Sequence, residues 1–439
     1  MTEARISNFA AVTSIIVSTL GSGITLLPSV FNKFGTLPSL GLMSFVGLIT
    51  YISLYSLAYA AEATNSKVDK NSSFSYEGIA ASFSKKLSFC VSAALVLSSL
   101  STAFSFVQTL MVLILQTIGF NQSIYNYLSL GKESEQSLLV MTLVRFGILA
   151  ILALIYFRLF KLDSLSSLNI FSTLSLLCCI IFSCVTFAYG IFSPYDSKYL
   201  PENITLPKAA ESGTVVGFII FALHCQFSFP GILSNMKDQS LSNFRKVSLI
   251  ATVLATILYS SVGYFGCKAF KELAGSGSIV LAFGDQTSSL AKFLKNRFET
   301  APYFGVYLPR AIHTAYIPIF FSGIIFNIFG IVPILQNFKK INGKPISRST
   351  VALILAIGVV LSGIKKVSDL DFVFGVIGFL FVTPLSFLFP AIFVILCSKQ
   401  LSLMKSVSYS MTALSAVIMI GLLIDTVQKE LVKSKGGKN

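Results

Sequence analysis

A chain of 439 residues that is 54% hydrophobic and only 12% charged, with a mean hydropathy of +0.79, is not a soluble globular protein; soluble domains carry about twice that charged fraction. The net charge of +15 does not mark a nucleic-acid binder, because the basic residues are scattered through loops rather than gathered on one amphipathic face. The seven cysteines (Cys90, Cys178, Cys179, Cys184, Cys225, Cys267 and Cys397) lie in or beside apolar runs without a CxxC pair, which argues against a metal site or a disulfide framework.

The apolar residues come in runs long enough to cross a bilayer, for which about 20 residues are needed. Val351–Ile364, Phe372–Cys397 and Val407–Ile424 contain no Lys, Arg, Asp or Glu. In chain order, hydropathy predicts about eleven transmembrane helices, near residues 8–31, 37–63, 87–119, 138–160, 164–192, 212–236, 247–270, 312–335, 350–366, 370–397 and 406–427. The fold class is therefore all-α membrane. Residues 1–192 hold spans one to five, 211–397 hold spans six to ten with a long outer loop over 271–310, 406–427 form the eleventh span, and 428–439 are a basic tail. No cleavable signal is expected, since the first apolar run continues into helical sequence.

Lys and Arg in short loops set orientation. With a cytoplasmic N-terminus, the inner short segments carry Arg5, Lys67, Lys70, Lys85, Lys86, Arg158, Lys161, Lys237, Arg245, Lys246, Lys339, Lys340, Lys344, Arg348, Lys399 and Lys405. The outer ones carry Lys33, Lys132, Lys198, Lys208, Lys365 and Lys366. Sixteen against six predicts the N-terminus inside and the C-terminus on the outer or lumenal side. The sequons at Asn121 and Asn203 fall in predicted outer loops, and the one at Asn71 falls inside.

Two spans are poorly made as helices. The first reads Ser18-Thr19-Leu20-Gly21-Ser22-Gly23-Ile24-Thr25-Leu26-Leu27-Pro28, and the sixth reads Phe221-Ala222-Leu223-His224-Cys225-Gln226-Phe227-Ser228-Phe229-Pro230-Gly231. Irregular backbone survives at membrane depth only where it lines a cavity or is buried in protein. Interruptions at matching places in two five-helix halves point to a midplane binding site in an inverted-repeat transporter. The competing reading is that Gly-x-Gly lets helices pack closely.

On these motifs the chain resembles the amino acid/auxin permease family, which includes vacuolar and sodium-coupled neutral amino acid transporters. Gly21-Ser22-Gly23-Ile24-x-x-Leu27-Pro28 followed by Gly35 is similar to its Gly-x-Gly-x-x-x-x-Pro signature. Ile220-Phe221-Ala222-x-x-Cys225-Gln226 through Asn235-Met236-Lys237-Asp238, Tyr259-x-x-x-Gly263-Tyr264-Phe265-Gly266, and Gly378 onward to Leu388-Phe389-Pro390-Ala391 resemble its sixth, seventh and tenth helices. The resemblance implies a LeuT-type fold, a 5+5 inverted repeat with broken helices 1 and 6 plus an eleventh helix. It also implies secondary active transport of amino acids rather than enzymatic activity. Val17 stands where many sodium-coupled members have Asn, and Gln226 replaces the usual His while His224 precedes the Cys. Together these departures count against sodium coupling and against the family's usual pocket chemistry.

The resulting expectation assigns a substrate carboxylate to backbone N–H groups around Gly21, Ser22 and Gly23. The ammonium meets carbonyls near Ser18, Phe221 and Ala222, and Thr25, His224, Gln226 and Phe227 shape the pocket. His224 is the imidazole inside a span, with a reference pKa of about 6.5 that suits proton coupling; a neutral histidine bonding two helices is the alternative. Gln226 has the same alternative role. Should sodium be the coupling ion, Ser322 is the hydroxyl partner on the eighth span, with Asn327 deeper. His313 is expected at the membrane interface beside Arg310, and Asp369 and Asp371 at a solvated span edge. Phe104, Phe106 and the aromatics between Phe379 and Phe389 are candidate gates. No cofactor beyond a proton or sodium ion is expected; the partners are an amino acid and the lipid bilayer, not nucleic acid, with oligomeric state left open. A plasma membrane or a vacuolar or lysosomal membrane suits the chain equally. A channel would need charged rings or filter carbonyls at matched depth, a pattern the sequence lacks, whereas a sensor on the transporter fold stays open.

Overall fold

The computed structural model describes residues 6–19, 22–65, 75–118, 135–161, 169–192, 209–270, 278–284, 289–338, 340–341, 344–363, 377–398 and 403–436. Most of these residues are helical, and two short strands, Lys340–Ile341 (β1) and Lys344–Pro345 (β2), pair antiparallel with Lys340 opposite Pro345. The sequence between them is Asn342-Gly343, a dipeptide favoured in two-residue hairpins.

Among the described residues, eight helices are long and apolar enough to cross a membrane. They are Thr36–Thr64, Lys85–Thr117, Thr142–Phe160, Thr173–Ile191, Leu241–Phe270, Tyr303–Gln336, Leu380–Cys397 and Leu403–Gly421, and Arg348–Ser362 is a shorter apolar helix. Their outward faces stay apolar: on Thr142–Phe160, Leu143, Phe146, Ile151 and Leu154 are all exposed. That is the surface a helix presents to lipid rather than to water. Each of the two predicted interrupted spans is divided into pieces too short to cross alone.

The chain forms two compact units, Met1–Ser98 with Tyr195–Tyr264 and Asp371–Asn439, and Ser99–Pro194 with Phe265–Leu370. In the first, α1 (Asn8–Thr19) is followed by a 3₁₀ turn at Ser22–Thr25 and by α2 (Leu27–Phe34). Pro28 occupies the first turn of α2, where a missing N–H removes no helical bond. Gly35 closes α2 at φ 78°, a backbone state that costs glycine nothing, and α3 (Thr36–Asn65) follows. After the short α4 (Tyr76–Ala81) comes α5 (Lys85–Thr117), which continues into the second unit at Ser99. The sixth span repeats the pattern of the first: α8 (Ala209–Ala222) ends, a turn intervenes, and α9 (Phe229–Ser234) restarts with Pro230 in its first turn. The outset of α1 and the segment after α9 are stitched together. Ile6 N–H donates to Asn235 O at 2.7 Å, Lys237 N–H donates to Ile6 O at 3.0 Å, and Asn8 and Asn243 exchange amide bonds at 2.7 and 2.9 Å. The same unit holds most of α10 (Leu241–Phe270), two π-helical turns at Gly378–Val382 and Pro384–Leu388, α15 (Phe389–Cys397) and α16 (Leu403–Gly436). In it α15 packs on α3 and α16, and α8 packs on α16 and on the 3₁₀ turn.

In the second unit lie α6 (Glu135–Phe160), α7 (Asn169–Phe192), α11 (Ile279–Gly284), α12 (Ser289–Arg297), α13 (Leu308–Phe338) and α14 (Arg348–Ser362). Here α13 packs on α7 and α11, and α14 packs on α6 and α13. Arg145, a charge inside a span, is explained by the end of α14. Its Nε and guanidinium NH2 donate to the Gly363 carbonyl at 2.9 and 2.5 Å, and Gln108 Nε2 donates to the Ser362 carbonyl. The last carbonyls of a helix lack intrahelical donors, and a cation there also suits the dipole. Arg145→Leu leaves a buried carbonyl short of its donor and should lower stability by about 1–3 kcal/mol, read as a fall in the melting temperature of the purified protein in detergent.

His313 departs from its expected interfacial place: it is 2% exposed, with Nδ1 2.9 Å from Val280 O and Nε2 3.2 Å from Leu113 O. The reason is α11, which folds part of the 271–310 loop over the start of α13, so that Gly284 sits against the ring with no room for a side chain. Asp369, Asp371 and the three sequons fall outside the described residues.

Candidate functional site

The two interrupted spans meet at their breaks. A Cβ added at Gly23 would lie 2.7 Å from Ala222 Cβ and 2.8 Å from Ala222 Cα, so the 3₁₀ turn of the first span closes directly onto the end of α8. Glycine is required there for a close approach of backbones rather than for an unusual φ. The packing role weighed for Gly-x-Gly is thus real at Gly23, and it is what brings the two breaks together. Gly21 lies outside the described residues, and of Ser22 only the backbone is described.

Broken helices leave carbonyls without donors, and side chains from other spans take some of them. Tyr259 on α10 donates its hydroxyl to the Thr19 carbonyl at the end of α1. The Ser18 hydroxyl turns back onto Ile15 O at 2.7 Å. Thr25 is 1% exposed. In the sixth span the Phe221 carbonyl, expected among the freed acceptors, takes the His224 N–H at 3.3 Å in a tight turn. Ala222 is buried against Gly23.

The turn between α8 and α9 carries the polar chemistry. His224 is half-buried, its ring 5.5 Å from that of Phe227 at an interplanar angle of 29°. Its Nδ1 lies 3.0 Å from Gln226 Oε1 and 2.7 Å from Ser386 Oγ. Gln226 is fully buried; its Oε1 also accepts the Cys225 N–H at 3.0 Å, while its Nε2 has no hydrogen-bond partner among the described residues. A buried amide donor left open is costly, and an acceptor such as a carboxylate oxygen or a water would complete it.

Ser386 was not anticipated from the sequence, and the tenth span explains its position. Pro390 has no N–H to give the Ser386 carbonyl four residues back, and that carbonyl accepts the Ser53 hydroxyl of α3 instead. The π turn sends the Phe389 N–H to Pro384 O, which releases Leu385 O to accept the Tyr76 hydroxyl at 2.5 Å. Burial holds the Tyr76 phenol well above its ordinary range, so it stays a donor at physiological pH. One turn of the tenth span therefore faces His224 with a hydroxyl, and α3 and α4 with carbonyls. π bulges of this kind occur frequently at functional sites. Its sequence signal is Pro384 and Pro390 flanking a serine inside an apolar run.

Ser322, the sodium candidate, lies on α13 in the second unit. Its hydroxyl is 2.5 Å from Ser175 Oγ, and it donates to Ile319 O at 3.1 Å. Phe106, also in that unit, meets Phe320 edge-on at 5.3 Å and fills the space beside Gly323.

Compared with known families, the chain matches one described as transmembrane amino acid transporter protein, over residues 4–428. None of the curated proteins matches it.

Proposed function

The chain belongs to the transmembrane amino acid transporter family, and on that premise we propose that it is a secondary active transporter of amino acids, driven by protons through alternating access. The observation that carries this reading is the closure of Gly23 onto Ala222, with the hydrogen-bonded His224 two residues further on. Two spans broken at one place bring their freed backbone beside the polar side chains of His224, Gln226 and Ser386, the kind of arrangement such carriers use for substrate and ion.

In this reading the eight long helices, the shorter Arg348–Ser362 and the two interrupted spans make eleven crossings. Residues 1–192 and 211–397 form the inverted halves of a LeuT-type repeat, with 406–427 appended and 428–439 as a basic tail. The N-terminus is cytoplasmic and the C-terminus outer or lumenal, in a plasma or vacuolar-type membrane. The substrate carboxylate sits on the backbone from Gly21 to Gly23. Carbonyls near Ser18 and the end of α8 meet the ammonium, Thr25, Gln226 and Phe227 shape the side-chain pocket, and His224 carries the proton. A proton is preferred to sodium because the Ser322 hydroxyl is already engaged by Ser175 and Ile319.

Binding and flux measured on the same purified protein test the proposal. A carrier moves a labelled amino acid into proteoliposomes and saturates. Saturable binding with no flux would identify a sensor instead.

A further inference from the structure

Gln226 sits where it dictates which nitrogen of His224 holds the hydrogen. The Cys225 backbone N–H, 3.0 Å from the amide, can only donate, so the oxygen of Gln226 must occupy that end. The same oxygen lies 3.0 Å from His224 Nδ1, an attractive contact only if Nδ1 bears a hydrogen. Ser386 Oγ, 2.7 Å from Nδ1, is a second acceptor for it. Were Nδ1 bare and taking the Ser386 proton, its lone pair would face that of Gln226 Oε1. Turning the amide over would relieve that contact but set its NH2 against the Cys225 N–H. A single pattern of the neutral ring satisfies all three contacts, with hydrogen on Nδ1 and a lone pair on Nε2.

We propose that Gln226 is a positioning residue that fixes this tautomer and so makes Nε2 the atom that takes up the coupled proton. The inference rests on the reading of His224 as proton carrier. The step is a simple addition: a proton from the side of entry joins the Nε2 lone pair to give the imidazolium, and it leaves from Nε2 on the other side. Nδ1 stays bonded to Gln226 and Ser386 throughout, so charge changes without the ring having to turn. The described groups that hydrogen-bond or stack with His224 are Gln226 and Phe227 from its own turn and Ser386 from the tenth span, all uncharged. The titratable groups on the surrounding elements include Cys225 in the same turn, Tyr51, Tyr55, Tyr59 and Glu62 on α3, Tyr76 and Glu77 on α4, Glu211 on α8, and Tyr259 and Tyr264 on α10. Tyr76 bonds Leu385 O, Tyr259 bonds Thr19 O, and none of the described side chains among them hydrogen-bonds the His224 ring. No carboxylate is therefore required to set the tautomer.

The chain has two histidines, so imidazole nitrogen NMR of ¹⁵N-histidine-labelled protein in lipid reads the tautomer directly, with His224→Gln assigning the signals by difference. The expected wild-type spectrum has His224 protonated on Nδ1 and bare on Nε2 at neutral pH. Gln226→Leu shifts the ring towards the Nε2–H form. Gln226→Glu, which keeps an acceptor at Nδ1, retains the tautomer. Its carboxylate also favours the imidazolium, which moves the midpoint of pH-dependent uptake to higher pH by about 1–3 units. A wild-type ring protonated on Nε2, or a Gln226→Leu ring identical to wild type, overturns the proposal. Proton-driven uptake that survives in His224→Gln would overturn the transport role of the imidazole, while the spectrum would still decide the tautomer.

Discussion

Replacing His224 with Gln is expected to abolish proton-driven accumulation while leaving a slow, gradient-independent exchange of substrate. If one proton moves with each substrate, a pH difference of one unit drives about tenfold accumulation, since one unit is worth about 1.4 kcal/mol. The variant has no imidazole to carry the coupled proton, so accumulation falls to about unity. The sign is fixed by the direction of coupling: wild-type uptake rises as the side of entry is acidified, and the variant is flat. Glutamine keeps hydrogen-bonding capacity towards Ser386, so lost packing is a small part of the effect. Uptake measured in proteoliposomes at a series of external pH values checks this, and a variant that kept its full pH dependence would remove His224 from the coupling step.

Gly23→Leu is the second large effect. Even a methyl group at this position comes within 2.7 Å of Ala222 Cβ and 2.8 Å of its Cα, and the neighbour is backbone as much as side chain. A leucine forces the 3₁₀ turn away from α8. Overpacking of this kind costs about 1–3 kcal/mol or more, and a displacement of about 1 Å at a site of this geometry reduces turnover by up to about a hundredfold. Loss of uptake by itself leaves open whether the position needs space or a substrate contact. The pair Gly23→Ala and Ala222→Gly distinguishes them, because exchanging the methyl across the contact restores the space. Gly23→Ala alone should lower uptake, and the double variant should recover much of it. Wild-type uptake in a correctly inserted Gly23→Leu protein would exclude a site at this contact.

The bilayer spans were legible because a membrane removes water as a hydrogen-bond partner, and the long apolar runs it demands are visible without any partner sequence. The two breaks were legible for a related reason. Gly21, Gly23 and Pro28, or Pro230 and Gly231, have no business inside an undisturbed span. What the sequence did not reveal is how the breaks are completed. Ser386 lies about 160 residues from His224 in the chain, and its role depends on a π turn that no local apolar pattern announces. In the sequence Pro390 reads only as part of a motif, whereas its missing N–H is what frees the carbonyl that Ser53 takes. His313 was misplaced for the same reason: its surroundings come from α11 and from Leu113, which belong to other parts of the chain. The acceptor of Arg145, the Gly363 carbonyl at the end of α14, likewise lies far along the chain. Local chemistry is written locally, whereas the partner that satisfies a buried polar group is chosen by tertiary structure.

The most direct measurement is uptake of a panel of labelled amino acids into proteoliposomes holding the purified protein, with a proton gradient or a sodium gradient imposed in turn. Saturable accumulation of one or more amino acids under the proton gradient, abolished by dissipating it and indifferent to sodium, is the result expected of a proton-coupled carrier. Binding without flux, or accumulation that follows sodium alone, would contradict it.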